Sequence, residues 1–173
     1  MGGYTKMVER MLEGVEVRCG VEYKELISEQ PDIADRTIYC GPIDAFYDFK
    51  LGTLEYRSLR FESEILDEEN HQRAVVIITA REVPYTRIIE HKHFEFGTQP
   101  KTVLTREYPA DWKPGDEPYY PVNDARNEAL YAEYEKLAAE EGDVVFAGRL
   151  GGYKYYDMDK VLMAALECCE EEL

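Results

Sequence analysis

The segment TLEYRSLRFESEIL, residues 53–66, decides the fold class, because it begins a series of strand-like runs with no helical stretch between them. RAVVIITA at 73–80, YTRIIEHKHFEF at 85–96 and TVLTREY at 102–108 continue the series. Polar or Gly/Pro-containing turns separate these runs, and connections this short favour an antiparallel sheet. The run at 75–78 is apolar on both faces, which predicts a central strand of that sheet.

The N-terminal part of the chain mixes a helix with strands. Apolar residues recur at helical spacing over 5–12, and Gly14 follows as a stop signal. VEVRCGVEY at 15–23 and TIYCG at 37–41 are typical of strands.

The C-terminal part alternates in the same way. A loop at 109–124, rich in proline, aspartate and tyrosine, precedes a helix, the strand VVFAG at 144–148 and a last helix from about Asp157. The apolar face of the first helix contains Leu130, Tyr131, Tyr134, Leu137 and Ala138. The apolar face of the last helix contains Val161, Leu162, Ala165, Leu166 and Cys169. The predicted fold class is therefore α+β, with an antiparallel sheet between two α/β ends.

Composition excludes several classes of protein. The 173 residues suit one folded domain with a proper core, and 45% hydrophobic with 32% charged residues is ordinary for a globular protein. The net charge of -16 repels a nucleic-acid backbone, so no nucleic-acid partner is expected.

The sequence also predicts a cytoplasmic protein without a membrane span. No apolar run approaches the roughly 20 residues that cross a bilayer, and the N-terminus lacks the pattern of a signal peptide. Four cysteines, Cys19, Cys40, Cys168 and Cys169, form no CxxC motif, which favours reduced thiols.

The segment GRLGGYKYYDMD at 148–159 predicts a binding site. A strand, a glycine-containing turn and a helix N-terminus present free N–H groups and the positive end of a helix dipole to an anion or a polar ring. Gly148, Gly151 and Gly152 would let the backbone approach a ligand closely, and Asp157 is well suited to cap the helix.

Four separated segments, in the same order along the chain, resemble the UDP-galactopyranose mutase family of flavin enzymes. They are YCGPIDAFYDFKLGTLEYRSLRF at 39–61, PYTRIIEHKHF at 84–94, GDEPYYPVND at 115–124 and GRLGGYKYYDMD at 148–159. The resemblance covers essentially the whole chain from Gly2 onward. It implies an isomerase that interconverts UDP-galactopyranose and UDP-galactofuranose through an adduct between the sugar and N5 of reduced FAD, for the synthesis of bacterial glycans.

The family opens with a GxGxxG fingerprint for the dinucleotide, and this sequence contains none. The resemblance therefore suggests the C-terminal half of a mutase, which alone would hold FAD poorly and turn over no substrate. It implies an antiparallel substrate domain at 42–123. The segments 1–41 and 124–173 would be parts of a Rossmann-like FAD domain.

The resemblance also implies the site residues. Arg87, Tyr120 and Tyr155 match family residues that contact the substrate diphosphate, and Arg57 matches a further active-site arginine. The matches to the flavin contacts are Gly148, Arg149, Tyr156, Asp157 and Met158. No side chain is implied as a catalytic acid or base, because the flavin is the nucleophile.

Other constellations are weaker. His91 and His93 alternate along a predicted strand and, with His71, raise the question of a metal site, but ligand spacing alone is poor evidence and none is predicted. Asp44 and Asp48 are expected to be turn and strand-edge residues, and Tyr153 and Lys154 to be structural.

Alternative functions remain open. One is a non-catalytic module that binds a nucleotide sugar or a protein. Another is a half-enzyme that a separate N-terminal half completes, or that self-associates, through exposed strand edges and apolar surface. A different flavin oxidoreductase, such as an amine oxidase relative, is disfavoured by the four mutase-like segments.

Overall fold

The computed structural model describes residues 3–67 and 73–172, which form two compact units. The first unit contains Met1–Pro31 and Leu59–Pro109, and the second contains Asp32–Ser58 and Ala110–Leu173. Helices and a largely antiparallel sheet occur together, so the predicted α+β class is confirmed. Within the described ranges, no helix is both long and apolar enough to cross a membrane.

The first unit begins with two helices, α1 (Gly3–Met11) and α2 (Tyr23–Glu29). The predicted helix at 5–12 is confirmed. The predicted strand at 15–23 is wrong, because 15–22 are exposed and irregular and Gly20 has a φ of 68°. The alternating pattern there has no neighbouring strand to pair with among the described residues.

The sheet of the first unit contains most of β2 (Tyr56–Leu66) and β5 (Thr102–Asp111), with β3 (Val75–Ile77) and β4 (Arg87–Glu90). The strand order is β3-β4-β5-β2, and β4 is antiparallel to both β3 and β5. The antiparallel prediction is confirmed. The predicted central position of β3 is wrong: β3 is the last strand in the order, and Ile77 is 69% exposed.

A 3₁₀ helix replaces the second half of the predicted strand at 85–96. It contains His91–Glu95 and ends at Phe96, which has a φ of 55°. Residues at alternating positions of a strand share a face, but those of a 3₁₀ turn do not. The predicted common face of His91 and His93 is therefore wrong.

The second unit contains a parallel pair of strands, β1 (Thr37–Tyr39) and β7 (Val144–Phe146), and a short strand, β6 (Tyr120–Pro121), antiparallel to the first residues of β2. Its helices are α3 (Ile43–Phe46), α4 (Ala125–Ala138), α5 (Gly148–Gly151) and α6 (Met158–Glu172). The elements at 124–173 follow the predicted order apart from the short α5, and α3 and β6 were not predicted either.

The core of the second unit is built from buried aromatic and aliphatic residues: Ile43, Tyr47, Leu54, Tyr56, Tyr134 and Tyr153. The predicted apolar face of α4 packs against this core, which confirms it. The predicted apolar face of α6 is instead largely exposed, with Leu162 at 44% and Leu166 at 60%.

Candidate functional site

Three of the predicted site residues meet in the second unit. The ring centroids of Tyr120 and Tyr155 lie 5.4 Å apart. The guanidinium carbon of Arg149 lies 5.5 Å from the Tyr120 centroid and 5.7 Å from that of Tyr155. We call Tyr120, Tyr155 and Arg149 the tyrosine–arginine cluster. It presents two phenol rings and one permanent positive charge at a single place.

The short strand β6 positions Tyr120. Backbone hydrogen bonds flank Tyr120, from Tyr119 N to Arg57 O at 3.1 Å and from Val122 N to Glu55 O at 3.0 Å. Arg57 is the direct register partner of Tyr120 on β2. Directly opposite residues share a face of a sheet, so the exposed Arg57 side chain belongs beside Tyr120.

Arg149, on α5, clamps the segments on both sides of the cluster. Its Nη1 donates to the carbonyl of Tyr119 at 3.3 Å, and its Nη2 donates to the carbonyl of Tyr156. A planar guanidinium suits this work because its donors point in fixed directions. Much of the donor capacity of Arg149 is therefore committed to the protein backbone.

Tyr155 retains a proton that it can donate. Its hydroxyl donates to Oδ1 of Asp157 at 3.0 Å. This hydrogen bond and the charge of Asp157 raise the pKa of Tyr155 above its ordinary value of 10.0, although Arg149 acts in the opposite direction. At neutral pH, Tyr155 is therefore a neutral phenol. Its O–H group can donate to an anionic oxygen once its hydrogen bond to Asp157 breaks.

The start of α6 fits the carbonyl edge of a flavin only in part. The first helical hydrogen bond runs from Val161 N to Asp157 O at 3.0 Å, so the N–H groups of 158–160 precede the helical ladder. They and the helix dipole favour an electronegative ring edge. The exposed Asp157 carboxylate at the same end opposes a negative charge there. The hydrogen bonds of Arg149 to backbone carbonyls also leave it fewer N–H donors for a flavin ring.

The glycines of the same segment have a packing reason of their own. Gly148 has a φ of 73°, a conformation that side chains disfavour. A Cβ at Gly151 would lie 2.7 Å from the carbonyl oxygen of Tyr39, so the turn needs glycine to pack against β1. The proposed approach of this backbone to a ligand stays a prediction.

Arg87 lies in the first unit, on β4. Its Nη1 lies 3.3 Å from Oε2 of Glu107, its register partner on β5. The Glu107 side chain is almost buried, at 9%, whereas that of Arg87 is 42% exposed. Arg87 thus already neutralises the carboxylate of Glu107. A phosphate ligand would have to share the guanidinium of Arg87 with that carboxylate.

The histidines have protein partners. His91 Nε2 lies 2.8 Å from the Thr105 hydroxyl, and His93 Nε2 lies 3.3 Å from the buried carboxylate of Glu90. His71 lies outside the described residues. No group of three or more His, Cys, Asp or Glu residues arranged for a metal ion occurs within 3–67 and 73–172.

One groove contains none of the predicted site residues. It has a volume of about 880 Å³ and lies between α1 and the 3₁₀ helix of the first unit, with Met7, Met11 and Phe94 in its lining. No side chain of α1 is buried. The groove is therefore the uncovered side of a surface helix, and its lining also includes the cationic side chains of Lys6 and Arg10.

Two buried residues outside the cluster hold the second unit together. Asp44 is 1% exposed and accepts backbone hydrogen bonds from Ala45 N at 3.0 Å and Leu54 N at 2.9 Å, so it organises the turn from within. Tyr153 is 4% exposed and donates its hydroxyl proton to backbone carbonyls. The expected structural role of Tyr153 is therefore confirmed, and its backbone has a left-handed φ of 43°.

Comparison with known proteins gives a consistent result. Residues 1–155 match the family model described as UDP-galactopyranose mutase. The chain is 37% identical over 172 residues to a probable UDP-galactopyranose mutase of Klebsiella pneumoniae, 34% identical over 175 residues to dTDP-fucopyranose mutase of Escherichia coli, and 34% identical over 187 residues to UDP-galactopyranose mutase of Mycoplasma pneumoniae. These alignments cover 97–99% of the chain but only 44–47% of each relative, so the chain spans slightly less than half their length.

Proposed function

The chain belongs to the UDP-galactopyranose mutase family, and from this we propose that it acts as the C-terminal, substrate-binding portion of such an isomerase. The observation that carries the proposal is the tyrosine–arginine cluster. Two phenol donors, a fixed guanidinium and the neighbouring Arg57 suit a ligand with two adjacent phosphate groups. The substrate that this assigns is UDP-galactopyranose or UDP-galactofuranose.

In this proposal the residues of the chain bind and orient the substrate. The hydroxyls of Tyr120 and Tyr155 donate to the diphosphate, and Tyr155 exchanges its bond to Asp157 for one to a phosphate oxygen. Arg57 adds a positive charge beside Tyr120, which offsets the repulsion from a chain of net charge -16. Arg87 is proposed as a second diphosphate contact that keeps Glu107 as its partner.

Reduced FAD, when bound, would supply the nucleophile for exchange at the anomeric carbon. The backbone at Tyr156, Asp157 and Met158, next to Gly148 and Arg149, would hold the carbonyl edge of the ring at the start of α6. This contact is one-sided, and the sequence contains no glycine-rich pyrophosphate loop. We therefore expect weak retention of FAD and no useful turnover by this chain alone.

The division into domains stays a proposal. We propose 1–41 and 124–173 as parts of a Rossmann-like FAD domain and 42–123 as the substrate domain. The parallel pairing of β1 with β7 supports this for the residues around β1, whereas Met1–Pro31 group with the first unit. A cytoplasmic location also stays a prediction.

Titration calorimetry with UDP tests the proposal. The chain should bind UDP with release of heat, and UMP, which has one phosphate fewer, should bind more weakly. Tyr120→Phe and Tyr155→Phe should each weaken UDP binding by about tenfold to a hundredfold, the value of one hydrogen bond to a charged group. Tyr4→Phe, in exposed α1, is the matched control. Equal affinities for all three variants would contradict the proposal.

One observation favours a second arrangement, in which a separate N-terminal half completes the enzyme. The outer face of α6 exposes Met158, Leu162, Met163 and Leu166, each by more than 40%. Exposed apolar surface of this kind is typical of a docking face. UDP binding without turnover, followed by turnover on addition of the missing half, would support this arrangement over a non-catalytic binding module.

A further inference from the structure

We propose that Tyr153 is a positioning residue, whose buried hydroxyl ties the segment that carries Tyr155 to the strand that carries Tyr120 and so sets the spacing of the two rings. The ligand, a nucleoside diphosphate, is the one that the proposed function assigns to these tyrosines. The spacing itself is a property of the chain and can be measured without any ligand.

The hydroxyl of Tyr153 meets two backbone segments. It lies 2.5 Å from the carbonyl oxygen of Glu55 and 3.2 Å from that of Val122, and it accepts from Val122 N at 3.2 Å. Glu55 and Val122 adjoin the only two register pairs of β2 with β6 among the described residues. The side chain therefore binds the β2–β6 junction at its Pro121 end, two residues after Tyr120.

This junction needs support, because β6 contains only two residues and one of them is Pro121. Proline has no N–H group and donates nothing to a sheet. Val122 N already donates to Glu55 O, so the hydroxyl of Tyr153 reinforces the bond that holds the far side of Tyr120. Loss of that support leaves the Pro121 side of Tyr120 held by the single backbone bond from Val122 N to Glu55 O.

The ring contacts of Tyr153 hold its side chain in the core although its backbone conformation is unfavourable. Tyr153 has a φ of 43°, a left-handed conformation that bulky residues rarely adopt. Such strain persists only where surrounding contacts over-determine it, and it concentrates at functional sites. Here the ring stacks on Tyr131 with a centroid distance of 5.7 Å and meets Tyr56 edge-on at 5.4 Å. Two residues later, Tyr155 is 53% exposed and faces Tyr120.

A variant pair separates positioning from general stability. Tyr153→Phe removes the hydroxyl and retains the ring. Tyr134→Phe is the matched control, because Tyr134 is equally buried in the same core and its hydroxyl bonds to Gly52 O at 2.6 Å and Leu51 N at 3.2 Å, outside the cluster. Both variants lose comparable hydrogen bonds, so a purely structural role predicts the same result for both.

The readouts are nuclear Overhauser contacts between the rings of Tyr120 and Tyr155 in tyrosine-labelled chain, and UDP affinity by calorimetry. We expect Tyr153→Phe to abolish or strongly weaken the ring contacts and to weaken UDP binding about tenfold, because small displacements of binding groups are costly. Tyr134→Phe should retain both. If Tyr153→Phe is largely unfolded in buffer, both variants are measured in trimethylamine N-oxide, which favours the folded state.

The outcomes are distinct. Ring contacts that persist in folded Tyr153→Phe, or that weaken equally in Tyr134→Phe, overturn the inference. If the unmodified chain binds no UDP, the proposed function fails for this chain, and the ring contacts alone decide the role of Tyr153.

Discussion

Single hydroxyl groups in the core of the second unit differ in what they contribute. The hydroxyl of Tyr56 is buried and has no hydrogen-bond partner within the described ranges, whereas that of Tyr134 bonds to two backbone groups. Tyr56→Phe should therefore leave the free energy of unfolding unchanged or slightly higher. Tyr134→Phe should lower it by about 1–3 kcal/mol, because it strands buried backbone groups. Urea unfolding of both variants measures this, and equal losses would contradict the assignment of hydrogen bonds.

Asp44 makes a pH-dependent contribution to stability. Burial raises the pKa of Asp44 above its ordinary value of 3.8, against the hydrogen bonds from Leu54 N and Ala45 N. The folded chain thus holds the proton more tightly than the unfolded chain, and the associated stabilisation is fully present below about pH 3.8 and is lost as the pH rises through the folded pKa.

Asp44→Asn removes this titration. The difference in unfolding free energy between the unmodified chain and the variant should be largest in acid and should shrink as the pH rises above 3.8. Asp111→Asn, at an exposed position, is the control and should show no such trend. A difference in unfolding free energy that grows with pH would show that the two backbone hydrogen bonds lower the pKa of Asp44 by more than burial raises it.

Among single residues, the family pattern grouped Tyr120 with Tyr155 but assigned Arg149 to a separate flavin set, so the contact of Arg149 with both rings was not predicted. Nor did the pattern predict what Arg149 does with its donors, since the bonds to Tyr119 O and Tyr156 O depend on the path of two loops. The structural role expected of Tyr153 is confirmed by its place in the core, but its three hydrogen bonds to Glu55 and Val122 depend on the same loop paths.

Among the elements, α4 and the three-residue strands β1, β3 and β7 were predicted from their patterns, whereas the burial of β3 and the lack of a strand at 15–23 were not. α4 was predicted from its spacing and its buried face holds Tyr134. The alternating pattern at 15–23 was wrongly interpreted as a strand. Alternation of apolar and polar residues is compatible with a strand, but a strand also needs a neighbouring strand to pair with. The apolar run of β3 suggested burial on both faces, but an apolar pattern cannot distinguish a covered strand from an exposed last strand.

The start of α4 offers a test at this scale. Asp124 caps the helix by accepting from Asn127 N at 2.8 Å and from Asn127 Nδ2 at 2.9 Å, and Asn127 is fully buried. Asp124→Ala should therefore cost about 2 kcal/mol, through the lost cap and one lost hydrogen bond of the buried Asn127 amide, which keeps its bond to Glu55 Oε2. Thermal unfolding followed by circular dichroism measures it, with Asp111→Ala as control. A loss near zero would mean that water replaces the cap.

At the scale of the whole molecule, a net charge of -16 and an exposed apolar helix face act in opposite directions. Charge repulsion keeps copies apart over about 10 Å at 0.1 M salt and over shorter distances at higher salt. Apolar contact does not depend on that screening in the same way. Association through the outer face of α6 should therefore increase as salt is raised.

Sedimentation velocity over a range of chain concentrations and salt concentrations measures this association. The double variant Leu162→Lys with Leu166→Lys should stay monomeric under conditions in which the unmodified chain associates, because it removes two exposed apolar side chains of α6. Glu167→Lys on the same helix is the matched control: it raises the net charge by the same two units and leaves the apolar face intact. Because it weakens repulsion without removing apolar surface, it should associate at least as strongly as the unmodified chain. Association that falls with salt, or that survives in the double variant, would assign the contact to charged groups or to another surface.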